Sequence, residues 1–145
     1  MNRFLATLAA VTLAAPVFAD GHASGDAEAG AKVFNKCKSC HTIVSDAGDT
    51  IVKGGRTGPN LFGIAARQPG TSDGFKYGKD LIEAGDKLGA NWSEAEFVSW
   101  VADPRAWVRA TLDDSKAKSK MTFKLKDGED AANVWAYLVS VGAGS

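Results

Sequence analysis

The pattern of apolar and polar positions divides the chain into short amphipathic stretches separated by long polar loops. Ser24 to Lys36 predicts a helix with Val33, Phe34 and Cys37 on its apolar face, Gly30 one turn before Phe34, and Ser24 or Asp26 as its cap. Asp26 and Glu28 suit its positive end. Thr42 to Thr57 reads as loop, and Gly58-Pro59-Asn60-Leu61 as a turn whose φ the proline fixes. Leu61 to Ala66 predicts one short helical stretch, and Gln68 to Gly74 a turn. Tyr77 to Leu88 predicts a helix resting on Leu81, Ile82 and Leu88. Ser93-Glu94-Ala95-Glu96 is a capping box ahead of the stripe Phe97, Trp100, Val101. Asp103-Pro104 ends that helix and opens another, with Trp107 and Val108 inward. Asp113 to Lys126 has no helical period and reads as an extended loop. Asp127 caps a last helix, with Val134, Leu138 and Val141 on one face, Trp135 and Tyr137 beside it, and Gly142 as its stop. No run alternates like a strand and nothing repeats. The fold class is therefore all-α, with short helices and long loops, an architecture that needs a central body to wrap.

The first residues do not belong to that domain. Met1-Asn2-Arg3 is a short basic region, Phe4 to Ala15 is apolar or small apart from two threonines, and Val17-Phe18-Ala19 follows Pro16. This pattern predicts a signal peptide over 1–19, cleaved after Ala19, and one domain over 20–145, exported to the periplasm. An uncleaved anchor is the competing reading. It needs a long flexible linker, whereas the first helix begins almost at once. Loss of Arg3 takes the balance from 17 basic and 17 acidic side chains to a net charge near −1. That balance gives no reason to expect nucleic acid. The charge is unevenly placed, however: Lys116, Lys118, Lys120, Lys124 and Lys126 fall close together with no acid among them.

Both cysteines and one of the two histidines lie in Cys37-Lys38-Ser39-Cys40-His41. C-x-x-C-H is the attachment signature of c-type haem. Two thiols on one helical turn add to the two vinyl groups of the porphyrin, and the adjacent imidazole becomes the proximal iron ligand. A thioredoxin-like pair calls for a βαβ context that this sequence lacks. A zinc site calls for four ligands, and only His22 could join these three. A disulfide across two residues closes a very small ring. The second axial ligand follows by elimination. The mature chain offers one methionine, Met121, and one spare histidine, His22; Met121 is flanked by lysines outside any apolar stripe, where a lone core methionine would not be placed. Lys36 and Lys38 beside the thiols, with the lysine run around Met121, would rim an exposed haem edge and steer docking onto acidic partners.

The chain from about Gly25 to Gly142 resembles the class I c-type cytochromes, most closely the bacterial cytochrome c2 group near mitochondrial cytochrome c. Beyond the pentapeptide, the resemblance rests on Gly54-Gly55-Arg56-Thr57-Gly58-Pro59-Asn60-Leu61, Gly74-Phe75-Lys76-Tyr77, Asn91-Trp92, Asp103-Pro104, Lys120-Met121-Thr122-Phe123 and Trp135-Ala136-Tyr137-Leu138. It implies a cytochrome c fold, with helices around one covalently bound haem and the first and last helices crossing where Gly30 and Phe34 meet Trp135 and Tyr137. It implies a Pro59 carbonyl on the His41 ring, an inner propionate held by Arg67, Tyr77 and Trp92, and Phe123 over the haem near Met121. It also implies a one-electron carrier rather than an enzyme. Such a carrier is monomeric and docks on membrane complexes without spanning the membrane. It takes electrons from a cytochrome bc1 complex and passes them to a photosynthetic reaction centre, a terminal cytochrome oxidase, or both. Trp100 stands where the mitochondrial pattern has a tyrosine, and the segments after His41 and from Trp107 to Met121 are longer. Two other readings remain: a haem protein with a displaceable sixth ligand, as in a sensor or peroxidase, and a haem subunit of a larger redox enzyme.

Overall fold

Local capping sets where each helix begins. The computed structural model describes residues 23–142; the expected signal peptide and His22 lie outside them. Asp26 accepts the Ala29 amide at 2.8 Å and starts α1 (Ala27–Val33), which tightens into a 3₁₀ turn at Phe34–Lys36. Ser24, the other cap the sequence offered, instead bonds through its amide and hydroxyl to the Glu94 carboxylate. Ser93 caps α3 (Glu94–Ala102) through the Glu96 amide, as the capping box predicts, while the Glu96 carboxylate accepts the Trp107 indole N–H at 2.6 Å. Asp103 caps α4 (Pro104–Leu112), and Asp127 accepts the Asp130 amide at 3.0 Å where α5 (Gly128–Gly142) begins.

Two expectations change. The loop after His41 contains a small antiparallel hairpin, β1 (Ile43–Val44) with β2 (Thr50–Val52), paired Ile43 to Val52 and Val44 to Thr50. Strands of two and three residues are too short for alternation to register in a sequence. The turn forms because Gly48 adopts φ 89° and the Ser45 amide bonds to the Asp49 carbonyl. The helix expected over Tyr77 to Leu88 is α2 (Lys79–Leu88), but Ile82 is 41 % exposed, and the helix packs through Ala84 and Gly85. A Cβ on Gly85 would lie 2.1 Å from the Pro69 carbonyl oxygen. Leu81 and Leu88 pack against the core as expected, and close backbone approach at Gly85 replaces only the contact expected of Ile82.

The first and last helices cross, as expected. A Cβ on Gly30 would lie 1.9 Å from the Asn133 carbonyl oxygen and 2.9 Å from the Tyr137 Cβ, so only glycine lets the two backbones meet. Asn133 also accepts the Asp26 amide at 2.7 Å. Phe34 is 2 % exposed and packs on Tyr137 with ring centroids 5.6 Å apart; burying such a side chain stabilises by about 2 kcal/mol. Trp135 meets Phe97 of α3 at 5.3 Å, so it joins α5 to α3. Among the described residues no helix is long and apolar enough to cross a membrane.

Candidate functional site

The pentapeptide continues the turn of α1. The Cys37 amide bonds to the Phe34 carbonyl at 2.8 Å, and the Cys40 and His41 amides to the Cys37 carbonyl at 3.1 and 3.0 Å. Both thiols and the imidazole therefore project from one helical turn. The following loop is strapped to that turn by bonds from the Gly55 amide to the Lys38 carbonyl and from the Gly58 amide to the Cys40 carbonyl, both 2.9 Å. Side chains would prevent this approach. A Cβ on Gly54 would lie 1.8 Å from the His41 carbonyl oxygen, one on Gly55 2.1 Å from that of Ser39, and one on Gly58 2.4 Å from the His41 Cε1.

The His41 Nδ1 lies 2.9 Å from the Pro59 carbonyl oxygen. A carbonyl can only accept, so the proton is on Nδ1 and Nε2 keeps its lone pair. Burial holds the imidazole below its ordinary pKa against the opposing pull of the Pro59 bond, which keeps it neutral. The two thiols differ. Burial pushes Cys37 up to about 11, whereas hydrogen bonds from Thr57 and Ser39 lower exposed Cys40.

These groups form one wall of an apolar-lined cavity enclosing about 1370 Å³, its open mouth included. Met121 lines the same cavity from the loop between α4 and α5, with Pro59, Arg67, Tyr77, Trp92 and Phe123. The chain thus brings every cofactor-binding and metal-ligating residue expected from its sequence to one place. Arg67 donates to the carbonyls of Phe62, at 2.8 Å, and Asn60, so part of its guanidinium is used to fix the turn after Pro59. The Tyr77 hydroxyl accepts the Ser72 amide at 3.3 Å; burial raises its pKa, so the phenol proton remains available to donate. Trp92 is 8 % exposed and its amide bonds to the Arg67 carbonyl at 3.0 Å. Phe123, 39 % exposed, stands at the mouth.

The seven docking lysines separate. All are exposed. Lys36, Lys118 and Lys120 line the cavity. Lys36 pairs with Asp130 at 3.0 Å, and Lys120 reaches the Lys76 carbonyl at 2.8 Å. Lys124 is bound to Asp103 at 2.5 Å, and Lys126 lines a groove with Glu96 and Trp107. Lys38 and Lys116 do not line that cavity.

Some residues of the site carried no such signal. Asn60 both donates to and accepts from the Val44 backbone, at 2.7 and 3.0 Å, and accepts the Phe62 amide at 3.1 Å, anchoring the hairpin beside Pro59. Its place after Pro59 was visible, but its hairpin partner was not. Trp92, Trp100 and Trp107 form a cluster with centroids 5.4 to 5.8 Å apart, of which Trp92 and Trp100 line the cavity. Asp80 accepts the Lys118 amide at 2.7 Å, three residues before Met121.

The donor set fits a covalently held haem: two thiols on one turn, a neutral imidazole with its lone pair free, a thioether across apolar walls, and basic or hydroxyl donors at one end. Comparison with known proteins agrees. The cytochrome c family profile matches residues 27–142. The chain is 60 % identical to cytochrome c-551 of Roseobacter denitrificans, covering 100 % of this chain and 99 % of that one. It is 52 % identical to cytochrome c2 of Rhodobacter capsulatus, covering 94 % and 93 %. Among solved structures, cytochrome c2 from Paracoccus denitrificans superposes with TM-score 0.79 at 42 % identity, covering 84 % of this chain and 100 % of that one. Cytochrome c2 from Rhodobacter sphaeroides superposes with TM-score 0.79 at 51 % identity, covering 82 % and 98 %. The chain belongs to the cytochrome c family, and is an electron-transfer protein with one covalently bound haem c rather than an enzyme.

Proposed function

We propose that the mature chain is a soluble periplasmic carrier that takes single electrons from a cytochrome bc1 complex and delivers them to a photosynthetic reaction centre, a terminal oxidase, or both. The observation that carries the reading is that His41 and Met121, far apart in sequence, line one cavity with Cys37 and Cys40. When bound, haem supplies a ferrous/ferric couple at its iron. Cys37 and Cys40 would hold the group by thioethers. His41, oriented by Pro59, and Met121 would both bind its iron, which would favour outer-sphere transfer over chemistry at an open site. Arg67, Tyr77 and Trp92 would hold the inner propionate. Phe123 and the apolar walls exclude water. Lys36, Lys118 and Lys120 give the mouth a positive rim, toward acidic docking surfaces on membrane complexes.

The test is Met121→Ala. Loss of the thioether removes a ligand that favours Fe(II), so the potential falls, and the reduced protein binds carbon monoxide readily. A variant with the wild-type potential that still excludes carbon monoxide overturns Met121 as the ligand. Reduction of the wild type by a purified bc1 complex, and oxidation by a reaction centre or oxidase, test the partners.

A further inference from the structure

The loop between α4 and α5 has no helix or ladder of its own to fix Met121. Within it the Ser119 hydroxyl donates to the Met121 carbonyl at 2.9 Å, and the rest of its hold comes from other elements. Asp80 stands in the first turn of α2, and its Oδ2 accepts the Lys118 amide at 2.7 Å. The other oxygen lies 3.5 Å from Lys79 Nζ, and the Asp80 side chain is only 14 % exposed. That acceptor is on a fixed platform, because Gly85 of the same helix packs on the Pro69 carbonyl and Leu81 lines the cavity. If the loop lifts, the Lys118 amide exchanges a charge-assisted bond for water. The bond therefore stabilises the closed loop and not the opened one.

We propose that Asp80 is a positioning residue for Met121, latching the ligand-bearing loop to α2 through the Lys118 amide. The inference rests on Met121 being the axial ligand. Removing the latch raises the population of loop-open protein, in which an outside ligand can reach the iron. It does not alter the ligand itself.

The experiment uses the oxidised holoprotein and imidazole as the competing ligand, with amide exchange at Lys118 followed by NMR. In Asp80→Ala, Lys118 loses protection and imidazole binds about fivefold more tightly. Asp80→Asn keeps an oxygen acceptor while losing the charge that favours the α2 N-terminus, and stays within about twofold of wild type in both readouts. Asp127→Ala removes the cap of α5 and lowers global stability with the Asp80 bond to the Lys118 amide left in place; it leaves imidazole affinity unchanged. Wild-type imidazole affinity in Asp80→Ala, or an equal gain in Asp127→Ala, overturns the latch. Met121→Ala separates the two readings. If it binds imidazole no more tightly than wild type, the ligand assignment fails and the latch with it. If it binds more tightly while Asp80→Ala does not, only the latch fails.

Discussion

At the scale of single residues, the imidazole of His41 is fixed as much by what is missing beside it as by its bond to Pro59. Gly58 has no side chain, and a methyl there would sit 2.4 Å from Cε1 and 2.7 Å from Nδ1. Backbone conformation is not the obstacle, since Gly58 has no positive φ. The obstacle is a neighbour that has nowhere to go, because the ring is held at Nδ1 by the adjacent Pro59 carbonyl. Gly58→Ala should lower the unfolding free energy of the holoprotein by about 2 kcal/mol, the usual cost of overpacking. A guanidinium titration checks this; a midpoint equal to wild type would mean the loop yields freely. The sequence displayed this glycine in its motif without the reason for it. His41 and Gly58 are separated by the whole hairpin, and contact across a loop leaves no periodic trace.

At the scale of elements, the junction of α3 and α4 ties the Met121 loop to the helices. Asp103 accepts the Ala106 amide at 3.0 Å as the α4 cap and also receives Lys124 at 2.5 Å. The next residue but one along the chain from Phe123, Leu125, donates its amide to the Val101 carbonyl at 2.7 Å. The hydrogen bond from Lys124, then the Ala106 amide, hold the Asp103 carboxyl below its ordinary value of 3.8. The folded-state pKa is the lower one, so the contribution to stability is present above 3.8 and is lost as pH falls below it toward the folded value. Lys124→Gln removes the larger cause. The stability gap between wild type and variant should be open at pH 7 and close as pH drops below 3.8, as read by denaturant midpoints across that range. A gap that persists unchanged in acid would show that Lys124 acts by packing alone. The gap is small even when open, because the pair is exposed.

At the scale of the whole molecule, a nearly neutral chain presents a localised positive rim. Of the lysine run, Lys118 and Lys120 lie at the cavity, whereas Lys124 is tied to Asp103. If the rim steers encounter, association with a bc1 complex slows steeply with salt, since the Debye length falls from roughly 10 Å at 0.1 M to about 3 Å at 1 M. Changing Lys118 and Lys120 to glutamate should cut the second-order rate at low salt and flatten its salt dependence. The potential should move little, because exposed charges are screened. Stopped-flow kinetics over a salt series, with the potential measured alongside, decides it. A salt-independent wild-type rate, or a double variant as fast as wild type at low salt, would leave these lysines as solvated loop.

By itself the sequence determined what depends on neighbours in the chain. The caps at Asp26, Ser93, Asp103 and Asp127, the helices they start, and the turn that presents Cys37, Cys40 and His41 are all local, and all were legible. Met121 stood out through scarcity, being the one methionine of the chain besides Met1. The tertiary structure decided what depends on contact between distant segments. It turned Glu96 from its expected capping bond to Trp107, packed α2 through glycine where Ile82 was expected, and divided the lysines between the cavity and other surfaces. It also placed Asn60 on the hairpin and Asp80 on the Met121 loop. A hydrogen bond between residues 38 positions apart is fixed by the packing of whole elements, and no pattern within either segment specifies it.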